Sequence, residues 1–509
     1  MAGLLDTETR RLDAHSFDEA VETVEDHEKP SVSDETLLLA VLGVAFAMYF
    51  LDRGIGLLVS PLRFDENLTG WVTSAGFGDA VLRSWHFQGQ SPLYFALSWV
   101  WQQIAGSSEI ALRIPSLVAL AAACWHLIGI GRDIGVRTAG IVASVFLVSS
   151  NVGAVDARPY MFVVLCVILS VRYGLRWATD GRIVNGILWA VMAALALYFG
   201  PFVVYPLAAQ LVIGIVAARR GRAAQTVGLV ALGGVLVLPL VPQILSLRAR
   251  QATLVITDLP SVEDLLWAGF PPALLIALVV ASIAHASPRW TDKSSNRWLV
   301  FLIAWMVLPA VGLYAQSVLT GNSTFVERYF NSSIPAVGLV AGVVFSKMKL
   351  RAAIVGCAAF VLTGAWTMHV LFVQDWSVAA NTINETAEDV EVWTATGLIE
   401  AAHPLYFQDP DFQDRGANDY LSSHLLWHGA DRPLLSIPIA SSQELDEIHQ
   451  VNVDRLTFAD RSVLIVQPAA EDSPGFDGPL HAMDLLRERG YEIVETRNEL
   501  GVRTTLLER

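Results

Sequence analysis

Long apolar runs with few charges dominate the middle of this 509-residue chain. Several of them approach about 20 residues, the length that an α-helix needs to cross a hydrocarbon core roughly 30 Å thick. The whole chain is 53% hydrophobic and only 16% charged, which is too apolar for an ordinary soluble protein of this size. The sequence therefore predicts an all-α polytopic membrane protein.

Eleven runs have the length and composition of membrane spans. They lie near 36–53, 114–131, 138–152, 159–176, 183–199, 201–218, 225–246, 271–286, 297–315, 331–346 and 352–374. One further apolar segment, Pro92 to Ile104, is shorter and carries Gln102 and Gln103. By length it fits an interfacial or re-entrant helix better than a span.

The distribution of basic residues predicts the orientation, because cytoplasmic loops carry an excess of Lys and Arg. With eleven spans and a cytoplasmic N-terminus, every basic cluster between spans falls inside except Arg248 and Arg250. Counting 92–104 as a span would put these clusters outside. We therefore expect a multi-pass protein of the plasma membrane, with its C-terminal region on the outer face.

Acidic segments flank the apolar region on both sides. Residues 1–35 hold 11 acidic and 3 basic residues, and residues 375–509 hold 25 acidic and 9 basic ones. We expect 1–35 to be a disordered cytoplasmic tail, 36–374 a transmembrane domain and 375–509 a small extracytoplasmic domain. An acidic, lysine-poor surface suits a solvent of high salt, which favours a halophilic archaeon. Compositional drift from a GC-rich genome is the alternative.

The C-terminal segment has the pattern of an α/β domain. "RSVLIVQP" (461–468) predicts a buried strand. "LLRERGYEIVET" (485–496) predicts a helix end, a glycine turn and a strand, for which "VRTTLLER" is a candidate partner strand.

Acid–base pairs occur in three of the predicted outer loops. They are Arg63 with Asp65 and Glu66, Asp156 with Arg158, and Glu327 with Arg328. A carboxylate in such a cluster could deprotonate an acceptor hydroxyl, while an arginine holds an anionic leaving group. In the alternative interpretation, the arginines contact lipid headgroups and the acids are their counter-ions.

The same residues stand in an ordered series of motifs over about 50–345. The motifs are "PLRFDENLTG", "SPLYFALSWVW" (91–101), "GSSEIALRIPSLVAL" (106–120), "DARPYMFVVLCVILS" (156–170) and "ERYFNSSIPAVGLVAG" (327–342). The series resembles the GT-C membrane glycosyltransferases, in particular the protein-O-mannosyltransferase and aminoarabinose-transferase branch (glycosyltransferase family 39 and relatives). One departure is Gln90-Ser91-Pro92, because the family has a histidine before the proline.

The resemblance implies a GT-C fold and an inverting sugar transfer on the outer face. The donor would be a polyprenyl (dolichyl) phosphate carrying mannose or another hexose. The acceptor would be a glycan, a protein or a lipid, in cell-surface glycoprotein glycosylation. The main alternative is a transporter or flippase of a lipid-linked sugar, although transporters tend to place polar groups near the bilayer midplane.

The resemblance also implies roles for single residues. Asp65 would be the general base, with Glu66 and Asp156 shaping the acceptor site. The donor phosphate would be held by Arg158, Arg328 and Tyr329, since arginine can bind phosphate through two parallel hydrogen bonds.

Neither a metal centre nor a cofactor is indicated by residue spacing. Cys124, Cys166 and Cys357 all lie in apolar runs and are interpreted as small core residues. A divalent ion held by Asp65, Glu66 and Asp156 is the alternative to a metal-free site. The expected partners are the donor, the acceptor and membrane lipids, with no nucleic acid.

The topology can be tested by cysteine labelling of intact cells with a membrane-impermeant reagent. Ser473→Cys should be labelled because it lies in the predicted outer domain, and Ser294→Cys should be protected because it lies in a predicted inner loop. The reverse pattern would contradict the eleven-span arrangement.

Overall fold

The computed structural model is predominantly helical and carries a small sheet near its C-terminus. It describes residues 32–49, 51, 60–87, 92–149, 156–249, 259–269, 298–346, 354–359, 374–395, 397–471 and 476–509. The predicted tail up to residue 31, the predicted span at 271–286 and most of the predicted span at 352–374 lie outside these residues.

Fifteen α-helices precede the C-terminal region in the described part of the chain. They are α1 (Val32–Tyr49), α2 (Phe64–Thr73), α3 (Phe77–Phe87), α4 (Pro92–Ala105), α5 (Glu109–Asp133), α6 (Arg137–Ser149), α7 (Tyr160–Asp180), α8 (Ile183–Phe199), α9 (Val204–Ala209), α10 (Leu211–Ala217), α11 (Ala223–Val237), α12 (Val241–Ala249), α13 (Val262–Gly269), α14 (Leu299–Thr320) and α15 (Ile334–Phe345). The 3₁₀ segment Glu327–Ser333 leads into α15.

Several helices coincide with predicted spans. Within the described residues, four helical stretches are long and apolar enough to cross a membrane: α5, α7, Pro201–Arg248 and α14. The 48-residue stretch Pro201–Arg248 leaves helical geometry at Arg220 and Gly221, between two predicted spans. Helices α6 and α8 are shorter and apolar. The total of eleven spans and the orientation remain predictions.

Helix α6 lies at the centre of the helical part, between α5 and α15. Small residues allow the close approach, as expected where helices associate without a solvent-driven hydrophobic effect. A Cβ on Gly342 of α15 would lie 2.4 Å from Cα of Ala139 on α6. The α6 side chains are accordingly buried from Ala139 to Ser149.

The C-terminal region is built around one mixed sheet. Its elements are α16 (Trp376–Glu385), β1 (Glu391–Thr394), a 3₁₀ turn (Ile399–Ala402), α17 (Pro404–Gln408), α18 (Pro410–Asp414), α19 (Ala417–Leu421), α20 (Ser423–Trp427), β2 (Leu434–Ser436), α21 (Gln443–Ala459), β3 (Val463–Pro468), α22 (Asp477–Glu488), β4 (Glu492–Glu499) and β5 (Val502–Glu508). The strand order is β2-β1-β3-β5-β4, with β1 parallel to both neighbours and β5 antiparallel to both of its own.

These strands confirm the α/β prediction for the C-terminal segment. The predicted buried strand is β3, whose six residues are all buried. The glycine turn is Gly490, which follows α22 with φ of 91° and precedes β4. The last predicted strand is β5, which pairs with both β3 and β4.

Aromatic side chains join the C-terminal region to α2 and α3. Phe64 of α2 packs edge-on against Trp376, with ring centroids 6.3 Å apart, and contacts His424 at 5.2 Å. Phe87 of α3 stacks on Tyr420 at 4.8 Å. The C-terminal region therefore rests directly on the helix that carries Asp65.

Two further residues of α20 and its C-terminal end complete this interface. Trp427 packs against the small cluster of Leu62, Leu112 and Ala157, and Leu62 lies just before α2. The next residue, His428, forms a hydrogen bond of 3.1 Å between its Nε2 and Oδ1 of Asn67. His424 on the same short helix is fully buried, and burial lowers its pKa to about 3, so the ring is neutral in the folded protein.

Gly70→Ala tests this docking, because a Cβ at Gly70 would lie 2.6 Å from the ring of Trp427. Forcing the ring aside should lower the free energy of unfolding by about 1–3 kcal/mol, as overpacking typically does. The measurement is the thermal unfolding midpoint in detergent. Gly78→Ala is the matched control, since a Cβ there meets nothing within 4 Å. Equal midpoints for both variants would contradict the docking.

Candidate active site

Helix α2 presents Asp65 and Glu66 in its first turn. The backbone N–H of Arg63 donates to Oε2 of Glu66 at 2.9 Å, which is half of a capping box. Two carboxylates at this end also suit the positive end of the helix dipole. Because consecutive helical residues point about 100° apart, the two acids face different surroundings.

Glu66 is turned inwards and only 1% of its side chain is exposed. Its Oε1 accepts from Nε of Arg113 at 2.7 Å and from the backbone N–H of Ala157 at 2.8 Å. Its Oε2 accepts from Nη2 of Arg113 at 2.5 Å as well as from the backbone of Arg63. Both oxygens are thus occupied by groups of the protein itself.

Asp65 is turned outwards, and 41% of its side chain is exposed. Its Oδ2 accepts a hydrogen bond of 2.9 Å from Nη1 of Arg328, which lies in the 3₁₀ segment before α15. Arg158 is buried behind it and donates from Nη1 to the backbone carbonyl of Asp65 at 3.2 Å. The structure therefore brings Asp65, Arg158 and Arg328 together.

Asp156 lies on the other side of this cluster. Its Oδ1 is 3.8 Å from Nη1 of Arg63, a distance that makes an ion pair and no direct hydrogen bond. Its backbone carbonyl accepts from Oγ of Ser116 at 2.7 Å, which attaches the loop to α5. Three predicted outer loops thus contribute charged groups to one site.

A pocket opens beside Arg328. It holds about 530 Å³ of empty space, part of it open to solvent. Its lining includes Tyr160, Phe199, Phe202, Arg328, Tyr329 and Ser332. Apart from Arg328, this lining carries no formal charge, so the pocket combines an apolar wall with one cation.

Tyr329 forms part of the pocket wall. Its ring stacks on Phe202 with centroids 4.1 Å apart. Burial raises the pKa of Tyr329 above its ordinary value, although the charge of Arg328 acts in the opposite direction. Its phenol is therefore protonated near neutral pH and can donate a hydrogen bond to an anion.

Two residues of the site were not assigned from the sequence. Arg113 holds Glu66, and its signal was the Gly-x-x-Glu-x-x-x-Arg spacing of the 106–120 motif. Tyr160 lines the pocket. The Cζ atom of Arg158 lies 6.0 Å from the centroid of the Tyr160 ring. Its signal was the Asp-Ala-Arg-x-Tyr segment at 156–160.

Within the part of the chain that the structure describes, no three His, Cys, Asp or Glu side chains come together as a metal ion would require. Cys124, Cys166 and Cys357 are buried thiols, as expected for core residues. The helix Pro92–Ala105 matches the predicted short segment, and it is tied to the protein by hydrogen bonds from Trp99 to the Ala75 carbonyl and from Trp101 to the Ala111 carbonyl.

Comparison with known proteins shows which membrane proteins this chain is similar to. Residues 89–246 match the model of a family described as dolichyl-phosphate-mannose-protein mannosyltransferase. Two crystal structures of ArnT from Cupriavidus metallidurans are similar over nearly their whole length, one bound to undecaprenyl phosphate and one in the apo state. A comparison with curated proteins finds no match.

The two ArnT structures give TM-scores of 0.56 and 0.55, each at 13% sequence identity. The alignments cover 92% and 93% of this chain, respectively, and 98% of each ArnT chain. The chain has the GT-C fold of membrane glycosyltransferases, which confirms the resemblance seen in the sequence.

Removing Arg113 tests whether the buried ion pair holds the site. Arg113→Ala would leave the Glu66 carboxylate buried without its cation, which should cost about 3–5 kcal/mol of stability. Arg63→Ala is the control, because Arg63 is partly exposed and its ion pair should contribute less than about 1 kcal/mol. Thermal unfolding of the two purified variants measures the difference, and similar losses would contradict the assignment.

Proposed function

We propose that the protein transfers a sugar, mannose or another hexose, from a polyprenyl (dolichyl) phosphate to a glycan, protein or lipid acceptor. The reaction would occur on the outer face of the plasma membrane, with inversion at the anomeric carbon, and would contribute to glycosylation of cell-surface glycoproteins. The GT-C fold and the matched family model support a glycosyltransferase that uses a polyprenyl-phosphate donor.

One observation carries the proposal: a partly exposed carboxylate pairs with an arginine that lines a largely apolar pocket. Asp65 is the carboxylate and Arg328 the arginine, 2.9 Å apart. A sugar attached to a lipid phosphate needs a cation for the phosphate, an apolar wall for the lipid and a base near the anomeric carbon. The ArnT structure bound to undecaprenyl phosphate supports a lipid phosphate as the ligand of such a fold.

The proposed transfer follows from these positions. The acceptor hydroxyl gives its proton to Asp65 while its oxygen forms a bond to the anomeric carbon. The bond between that carbon and the phosphate oxygen breaks, and the electron pair leaves with the lipid phosphate. The positive charge of Arg328 then stabilises the negative charge that develops on the leaving phosphate, and Tyr329 serves as a neutral hydrogen-bond donor.

Glu66 and Asp156 have different roles in this proposal. Glu66 is a positioning residue, since both of its oxygens are already occupied by Arg113 and backbone N–H groups. Asp156 is partly exposed beside Arg63 and shapes the acceptor side of the cleft. Arg158 supports the donor side through its contact with the backbone of Asp65.

The transport alternative is not favoured by the distribution of charge. A transporter tends to bind its substrate near the middle of the membrane through polar groups on broken helices. Helix α7 carries no ionisable side chain other than the Cys166 thiol from Met161 to Val171. Its charged neighbours lie towards its two ends, at Arg158 and at the pair formed by Arg176 and Asp133.

Three substitutions at two positions separate the proposed roles. Asp65→Asn keeps the shape but not the basicity, so turnover should fall by about 10²- to 10⁴-fold without loss of donor binding. Arg328→Ala should weaken donor binding by about 10- to 150-fold, the value of a charge-assisted contact. Arg328→Lys should restore only part of it, because the planar guanidinium is lost. Donor affinity and single-turnover rates in proteoliposomes measure both effects.

Each variant is first compared with the wild type for yield and thermal unfolding. If Asp65→Asn and Arg328→Ala are both made in lower yield but have normal turnover per folded molecule, Asp65 and Arg328 are only structural partners and the proposed site is wrong.

A further inference from the structure

Arg328 contacts both Asp65 and the pocket proposed for the donor. Its Nη1 donates to the carboxylate of Asp65, and the same guanidinium lines the pocket proposed for the donor. Its Nε is buried and has no hydrogen-bond partner among the residues that the structure describes. Arg328 therefore has a spare donor on a side chain that already borders the ligand space.

The ion pair between Asp65 and Arg328 is also easy to open. The side chains are 41% and 34% exposed, so water screens their attraction. The neighbouring pair of Glu66 and Arg113 is the opposite case, with exposures of 1% and 4%. Opening that buried pair would leave two charges without solvent or partner, whereas water can replace either partner of the outer pair.

The contact as it stands is unfavourable for both proposed roles. The Oδ2 atom of Asp65 already accepts a hydrogen bond from Arg328, so this oxygen is not open to the hydroxyl of an acceptor. An arginine whose charge is balanced by a carboxylate attracts a phosphate less strongly. Catalysis therefore needs Asp65 and Arg328 to separate.

We propose that the ion pair between Asp65 and Arg328 is a latch, that is, a contact that blocks catalysis until the donor phosphate breaks it. The donor phosphate replaces Asp65 as the hydrogen-bond acceptor of Arg328. The carboxylate of Asp65 then becomes available as the base for the acceptor only once the donor is bound. The inference rests on the proposed function and adds an order to it, with the donor binding before the acceptor is activated.

The surroundings allow Arg328 to move while Asp65 stays. Arg158 holds the backbone carbonyl of Asp65 and is itself buried, so the position of Asp65 does not depend on Arg328. Nearby, Arg63 and Asp156 pair with each other.

The test is the affinity of the purified full-length protein for polyprenyl phosphate without a sugar. In Asp65→Asn the competing carboxylate is gone, so Arg328 is available from the start. Binding of polyprenyl phosphate should tighten about threefold to fivefold, because this is the change in affinity that corresponds to losing one partly exposed ion pair. Asp65→Ala carries the same charge change and should give the same result, which keeps the test valid if one variant folds poorly.

Asp156→Asn is the matched control, because it removes a nearby carboxylate that pairs with Arg63. Its affinity should change by less than about twofold, which separates release of Arg328 from a general loss of negative charge. Equal tightening in all three variants, or no tightening in Asp65→Asn and Asp65→Ala, would overturn the latch while leaving the proposed function intact. Failure of the wild type to bind polyprenyl phosphate would overturn both.

Discussion

The buried ion pair between Glu66 and Arg113 is the interaction on which the arrangement of the site depends. Glu66 also accepts the N–H of Ala157, so one carboxylate joins the start of α2, the first turns of α5 and the loop before α7. Burying two charges is costly, and the pair contributes mainly by allowing one geometry in which both are satisfied. With Glu66 held inwards, the helical period turns Asp65 outwards, towards Arg328 and the pocket.

The C-terminal region supports the same helix by aromatic packing. Its aromatic residues cover Phe64 and Phe87, and Trp427 occupies the space left by Gly70. Helix α2 is therefore fixed both by a buried polar contact and by aromatic packing. The proposed role of Asp65 as a base would need such support, because small errors in the position of a base are costly in rate.

Much of the fold follows from sequence periodicity, and much of the site does not. The apolar runs predicted α5, α6, α7, α8 and α14, since helix formation in lipid needs little more than length and low charge. The strands β3, β4 and β5 followed from short apolar patterns and a glycine turn. Asp65 and Glu66, in contrast, are adjacent residues of one type, and only tertiary contacts separate an exposed carboxylate from a buried one. Arg113 lies 47 positions from Glu66, and His428 lies 361 positions from Asn67, separations that no local pattern encodes.

The most direct test of the account is a structure of the protein with polyprenyl phosphate bound in a lipid nanodisc. The account predicts the phosphate beside Arg328, within about 3 Å of its guanidinium nitrogens, with the lipid chain along Phe199 and Phe202. It also predicts that Arg328 has left Asp65, while the contact between Glu66 and Arg113 is unchanged. A phosphate bound elsewhere, with the hydrogen bond between Asp65 and Arg328 still in place, would contradict it.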